Sequence, residues 1–237
     1  MQARDRVGIY SNSLNRLEVY KLDSDTMTLD KTFHFPLWNK QRGIPKAYTR
    51  LVQYNDSLFV GTSFMSKEIS VELLNLKAEK VVDCADFPLR PQEKEYSGPY
   101  ECKVAVGKDY MVAAYRYVNR LELFQLSPQK IQLKTVIGDA QVQYDLYRQN
   151  KDSEMIFHYS DVICGKDKIY ALYQGVEEGK LSSASSRIEV YAYDGSPLQT
   201  FDLGRSIASF LVDESSACIY AFDRNEESDI VFCYKLY

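Results

Sequence analysis

His158 is one of only two histidines in the chain, and it shares residues 139–159 with Tyr144, Tyr147 and Arg148. An imidazole that titrates near neutrality can serve as a general base. That set outlines a hydrolase or lyase pocket, with the tyrosines as neighbours. The sequence gives His158 no recognisable partner, however, and a lone loop histidine is more often structural or solvated. Two further segments concentrate the same residue types: Trp38 and Arg42 in residues 36–47, and Arg90, Tyr96 and Tyr100 in residues 88–101. Aromatic rings with arginines are what recognition hot spots are made of. The leading expectation is therefore non-enzymatic binding of a peptide, glycan or partner protein by Trp38, Arg42, Arg90, Tyr96, Tyr100, Tyr144, Tyr147, Arg148 and His158. The competing expectation is that these rings only pack the loops onto the body of the protein.

Other chemistries lack their residues. There is no GxSxG, Walker A, dinucleotide fingerprint or HExxH, so no catalytic residue and no cofactor is expected. The cysteines are Cys84, Cys102, Cys164, Cys218 and Cys233; no CxxC occurs, and with two histidines a zinc site of ordinary spacing is not expected. Flanking apolar residues suggest buried free thiols. Cys218 and Cys233 fall in neighbouring expected strands and could be bridged only in a suitable register. Asp23-Ser24-Asp25-Thr26-Met27-Thr28-Leu29-Asp30 lacks the central glycine and final glutamate of a calcium loop. His34 lies on an expected outer strand and is a poor candidate for chemistry. Asn55-Asp56-Ser57, a formal glycosylation sequon, reads as a turn. A formal net charge of −4 gives no electrostatic case for nucleic acid or an anionic membrane. No apolar run is long enough for a membrane span, and the polar start from Met1 to Arg6 does not resemble a signal peptide.

The elements that must position these residues are written into the chain as a repeat. Leu17-Glu18-Val19-Tyr20-Lys21-Leu22 returns as Val71-Glu72-Leu73-Leu74-Asn75-Leu76, Leu121-Glu122-Leu123-Phe124-Gln125-Leu126 and Ile188-Glu189-Val190-Tyr191-Ala192-Tyr193, and loosely as Val231-Phe232-Cys233-Tyr234-Lys235-Leu236. A strand-like unit recurring at intervals of about 40–65 residues marks a propeller or β-array. Each copy has an apolar run before it (7–10, 58–64, 110–117, 169–173, 219–222), and most have another after it (31–35, 80–87, 132–138, 198–203). A further strand precedes the unit at 49–54, 102–106, 160–164 and 207–212. Alternation and β-branched or aromatic content make these strands, and no helix-period segment interrupts them. Core strands are apolar on both sides, as stacked blades require and a two-layer sandwich does not.

The fold class expected is all-β: a β-propeller of four-stranded antiparallel blades, strands a to d from the axis outward, in a single domain over residues 1–237. Five b and five c strands are visible, but four a and four d, so the chain starts at a b strand and stops at a c strand. Such open edges invite pairing with another chain. We expect upstream residues in the natural protein to supply the missing strands with a sixth blade. The recurring glutamate is expected to be a paired or solvated carboxylate, not a ring of catalytic acids. The d-to-a and b-to-c connections emerge on one face, and the long ones are residues 36–47, 88–101, 139–159 and 174–186, where the candidate residues sit. The small, polar run 175–186 reads as a flexible loop.

The residues from Tyr48 through Gly61, Lys168-Ile169-Tyr170-Ala171-Leu172-Tyr173, Ile188 through Gly195, Phe210-Leu211-Val212-Asp213-Glu214, Ile219-Tyr220-Ala221-Phe222 and Tyr234-Lys235-Leu236 resemble the TolB-like six-bladed propellers of Bacteroidetes. The resemblance covers most of the chain. It implies six blades, an exported protein (periplasmic or on the cell surface, often a lipoprotein) and no established activity. This chain departs from it in having no lipobox cysteine, no signal and about one blade fewer.

Overall fold

The computed structural model describes residues 6–35, 38–39, 44–45, 48–65, 68–78, 80–85, 87–89, 97–225 and 230–236. In chain order its strands are β1 (Arg6–Ser11), β2 (Arg16–Leu22), β3 (Met27–His34), β4 (Trp38–Asn39), β5 (Ile44–Pro45), β6 (Arg50–Gln53), β7 (Leu58–Met65), β8 (Glu68–Asn75), β9 (Lys80–Cys84) and β10 (Cys102–Val106). They continue as β11 (Tyr110–Tyr115), β12 (Arg120–Ser127), β13 (Lys130–Gly138), β14 (Ile156–Cys164), β15 (Lys168–Glu177), β16 (Arg187–Ala192), β17 (Pro197–Asp202), β18 (Ile207–Asp213), β19 (Cys218–Asp223) and β20 (Phe232–Lys235). Blades two, three and four are the antiparallel sheets β6–β9, β10–β13 and β14–β17; blades one and five are the three-stranded sheets β1–β3 and β18–β20. The all-β propeller expected from the repeats is thus what forms, with the b-to-d and a-to-c order of the first and last sheets as read from the sequence.

Strand β12 shows why the repeat has no polar face. Its Leu121 and Leu123 pack with Val162, Ile169 and Ala171 of blade four. Its Phe124 and Leu126 pack with Val60, Val71 and Leu73 of blade two. Strand β11 divides likewise: Met111, Ala113 and Tyr115 on one side, Val112 and Ala114 on the other. Alternate residues of a strand point to opposite faces, and here each face meets a neighbouring blade. Blades four and five share Leu172, Ile188, Phe210 and Ile219; blades one and two share Leu17, Phe35, Tyr48 and Leu74. Burying each such side chain stabilises the fold by roughly 1.5–3 kcal/mol. Outward faces of the first and last sheets keep apolar residues in solvent, including Ile9, Leu29 and Leu211.

The register between strands c and d slips at the same place in four blades: Val19/Tyr20, Leu73/Leu74, Leu123/Phe124 and Val190/Tyr191. A bulge sharpens the strand twist, and its repetition gives each blade the same propeller set. It falls one residue beyond the recurring glutamate, whose role is now visible. Glu122 is fully buried, takes the Arg120 Nε–H at 2.7 Å and accepts the Tyr115 hydroxyl at 3.1 Å. Glu72, also fully buried, accepts the Tyr48 hydroxyl at 2.8 Å. Glu189 accepts from Tyr159, Tyr191 and Arg187, and Glu18 from Tyr20 and Arg16. These carboxylates are occupied by structural donors. Burial above all, with the adjacent carboxylate adding to it, pushes the phenols of Tyr48, Tyr115 and Tyr159 well above their ordinary range, so they stay protonated donors.

Two sequence expectations need correction. Residues 144–148 form a short helix, α1 (Tyr144–Arg148), and 3₁₀ turns occur at Gly98–Tyr100, Asp152–Glu154 and Glu178–Ser183. A single helical turn is too short to show a 3.6-residue period. Strand β14 also begins earlier than expected, at Ile156, so His158 lies in a strand and not in the preceding loop. Asn55 forms the turn before β7, where its Oδ1 accepts the backbone N–H groups of Ser57 and Leu58, each at 3.0 Å. No helix among the described residues is long and apolar enough to cross a membrane.

Candidate functional site

Antiparallel order sends the b-to-c and d-to-a connections to one face, and the inner strands start there. Arg50 of β6 pairs with Thr62, Lys103 of β10 with Ala114, Asp161 of β14 with Leu172 and Ser209 of β18 with Phe222. Each partner is the fifth residue of its own b strand. Arg50, Lys103, Asp161 and Ser209 therefore hold equivalent places around the axis. Between the starts of β6 and β10 opens a cavity of about 460 Å³, lined by Thr49, Arg50, Thr62, Ser97, Glu101 and Lys103.

Two more cations complete the mouth. Arg116 leaves the end of β11, donates to Glu101 Oε2 at 2.8 Å, and lies over the Phe157 ring at 5.0 Å. Arg224 follows β19 and donates to the Ile207 carbonyl at 3.3 Å. The Nε of each is buried and without a hydrogen-bond partner among the described residues. Burial, reinforced by the charge of Arg116, lowers the affinity of Arg224 for its proton. Lys103 is affected in the same way: burial comes first, then Arg50 and Arg116, and Glu101 and Asp161 only partly offset them. Neither Arg50 nor Lys103 has an ion-pair or hydrogen-bond partner among the described residues.

The acids of the mouth are already engaged. Glu101 is held by Arg116, Glu178 accepts the Tyr117 hydroxyl at 2.9 Å, and Asp161 accepts the Val162 N–H at 3.0 Å. Burial pushes the Asp161 carboxyl up towards its neutral form. The arrangement thus concentrates cationic donors in a concave site whose nearest carboxylates, Glu101 and Asp161, already accept hydrogen bonds. Such a site can bind an anion by charge-assisted hydrogen bonds. Among the described residues, no three His, Cys, Asp or Glu side chains converge.

His158 lies on this face with its Nδ1 3.3 Å from the Tyr173 hydroxyl, and Arg187 covers the Tyr173 ring at 4.3 Å. Burial lowers the His158 pKa, against the pull of Asp139 and Glu189, and so favours the neutral imidazole. The other expected residues divide. Tyr100 is buried in its 3₁₀ turn. Tyr147 joins Tyr117, Met155 and Phe157 in an apolar cluster and presses on Gly98, where an added Cβ would stand 2.7 Å from the ring. Tyr144 stacks on Tyr147 at 6.4 Å, and Arg148 is exposed at the end of α1. Arg42, Arg90 and Tyr96 lie outside the described residues, and of Trp38 only the backbone is described. Reading loops alone missed Arg50, Lys103, Arg116, Asp161 and Arg224, which sit in strands or at strand ends. Aligning the a strands of the repeat would have found the first two.

The fold is similar to that of known propellers. The WD40 domain of Toxoplasma gondii coronin superposes with a TM-score of 0.55 at 8% identity, over 94% of this chain and 51% of that one. A proposed 6-phosphogluconolactonase from Bacteroides uniformis gives 0.51 at 13% identity, over 99% of this chain and 65% of that one. BamB from Moraxella catarrhalis gives 0.50 at 9%, over 99% and 57%. At such identities the likeness is of fold alone, and this chain spans 51–65% of those proteins. No curated protein matches the chain in sequence. The family described as TolB-like 6-blade propeller-like matches residues 30–215. With strands, blade order and most of its length in agreement, the chain belongs to the TolB-like six-blade propeller family.

Proposed function

We propose that this protein is a non-enzymatic binding propeller that takes an anionic group at the axial mouth of its long-loop face. The group is carried by a peptide, an acidic glycan or a partner protein. One observation carries the reading: Lys103 is half-buried near Arg50 and Arg116, and neither Lys103 nor Arg50 is answered by a paired carboxylate among the described residues. Bringing unpaired cations together in a poorly solvated site costs stability, and a bound anion relieves that cost. The protein acts in the periplasm or at the cell surface, a reading supported by the family alone. Residues 1–237 form one propeller unit in it.

Calorimetric titration with inorganic phosphate, citrate, glucose and spermidine tests this. Both anions are expected to bind, with citrate the tighter. The double variant Arg50→Ala/Lys103→Ala is expected to weaken citrate by about tenfold or more, the loss of at least one charge-assisted hydrogen bond. Glucose binding that the double variant leaves intact would keep a binding propeller and remove the anion. Binding by none of the four would remove the site.

A further inference from the structure

Two thiols meet on blade five, at the end of β19 opposite Arg224. The Cα partners in β19 and β20 are Cys218 with Lys235 and Tyr220 with Cys233, so the cysteines are diagonal neighbours across the strands. Their sulfurs are 3.3 Å apart. A disulfide needs about 2.05 Å, a short approach for β20, a four-residue strand at the margin of the described sheet. The Lys235 ammonium donates to Cys218 Sγ at 3.2 Å. Cys233 is exposed, whereas Cys218 is only 3% exposed. An oxidant can therefore reach one thiol, with the other directly behind it.

The remaining thiols lack these features. Cys102 is fully covered, and burial raises its pKa well above the ordinary thiol range. Burial also pushes the Cys164 thiol up to about 12. Cys84 donates to Glu72 at 3.8 Å. The hydrogen bonds from Cys233 and Lys235 work the other way on Cys218 and favour its thiolate, while the same bond raises Cys233.

We propose that Cys218 and Cys233 form a reactive dithiol that exchanges with small-molecule or protein disulfides and closes as an intrachain disulfide. Cys233 attacks one sulfur of the oxidant as its proton passes to Cys218; the oxidant's S–S bond breaks and one thiolate leaves. Cys218 then yields its proton and displaces the second thiolate from Cys233, forming the Cys218–Cys233 bond. The Cys233 thiol and the Cys218 thiolate are oxidised to the disulfide, one external disulfide is reduced to two separate sulfurs, and the single proton ends on one of these while the other leaves as thiolate. Lys235 stabilises the Cys218 thiolate before the first step and again as it re-forms in the second.

The test is incubation of the folded chain with oxidised glutathione, followed by thiol counting in denaturant and peptide mapping. Five thiols should fall to three, with the bridge mapped to Cys218 and Cys233 and reversed by dithiothreitol. Cys218→Ser should stop at a persistent glutathione adduct on Cys233, and Lys235→Gln should slow closure severalfold. Retention of all five thiols by the folded wild-type chain overturns the proposal. So does a bridge at any other pair, or closure that Lys235→Gln does not slow.

Discussion

Replacing Glu122 by alanine is expected to cost roughly 3–5 kcal/mol of folding stability, the penalty for stranding one partner of a buried ion pair. Glu122 has no exposed side chain, and its partner Arg120 is 9% exposed at 2.7 Å. Without the carboxylate, the Arg120 guanidinium stays covered with its charge unanswered, and the Tyr115 hydroxyl loses its acceptor at 3.1 Å. The double change Arg120→Met/Glu122→Leu should recover the part of the loss due to the stranded charge, because well-packed apolar residues can replace such a pair at little cost, and leave the part due to the Tyr115 hydroxyl. The equivalent pair in blade one, Arg16–Glu18, is 34% and 23% exposed, so Glu18→Ala should cost about 1 kcal/mol or less. Urea unfolding of the three variants checks the contrast. Equal losses at Glu122 and Glu18 would mean that Glu122 is solvated and that the blades are not tightly stacked around it.

Phe124→Ala is expected to cost a similar ~3–5 kcal/mol, here through a cavity and lost transfer energy. The ring is fully buried between blades two and three and meets Phe87 edge-on at 5.2 Å. Val136, on the outer strand β13 and 38% exposed, provides the control: Val136→Ala should stay within about 0.5 kcal/mol. A small loss at Phe124 would show that the faces of the blades do not close on one another.

Much of the fold was legible because blade stacking leaves a distinct trace. A strand such as β12, buried on both sides, reads as a nearly unbroken apolar run, and its copies give blade number and order. The recurring glutamate was legible as a position but not as a bond. Tyr48 lies 24 residues before Glu72, and Tyr159 lies 30 before Glu189, separations that only the paired register brings together. The site was less legible for the same reason. Attention to long connections selected Tyr100 and Tyr147, whose rings the fold uses for packing. Arg50, Lys103 and Asp161 lie singly in otherwise unremarkable strands and become a group only around the axis. His158 lies on the long-loop face but in a strand, with a tyrosine beside it and no acid hydrogen-bonded to its ring among the described residues. The Cys218–Cys233 contact depended on a register that composition cannot supply.

The most direct measurement is the titration of the Lys103 ammonium by NMR, with and without citrate. Burial and the neighbouring guanidiniums of Arg50 and Arg116 disfavour its charged form, so it should lose its proton at lower pH than a solvated lysine. Bound citrate adds the missing negative charge and should move the midpoint back up. A midpoint at the ordinary lysine value, unmoved by citrate, would contradict an anion-binding mouth.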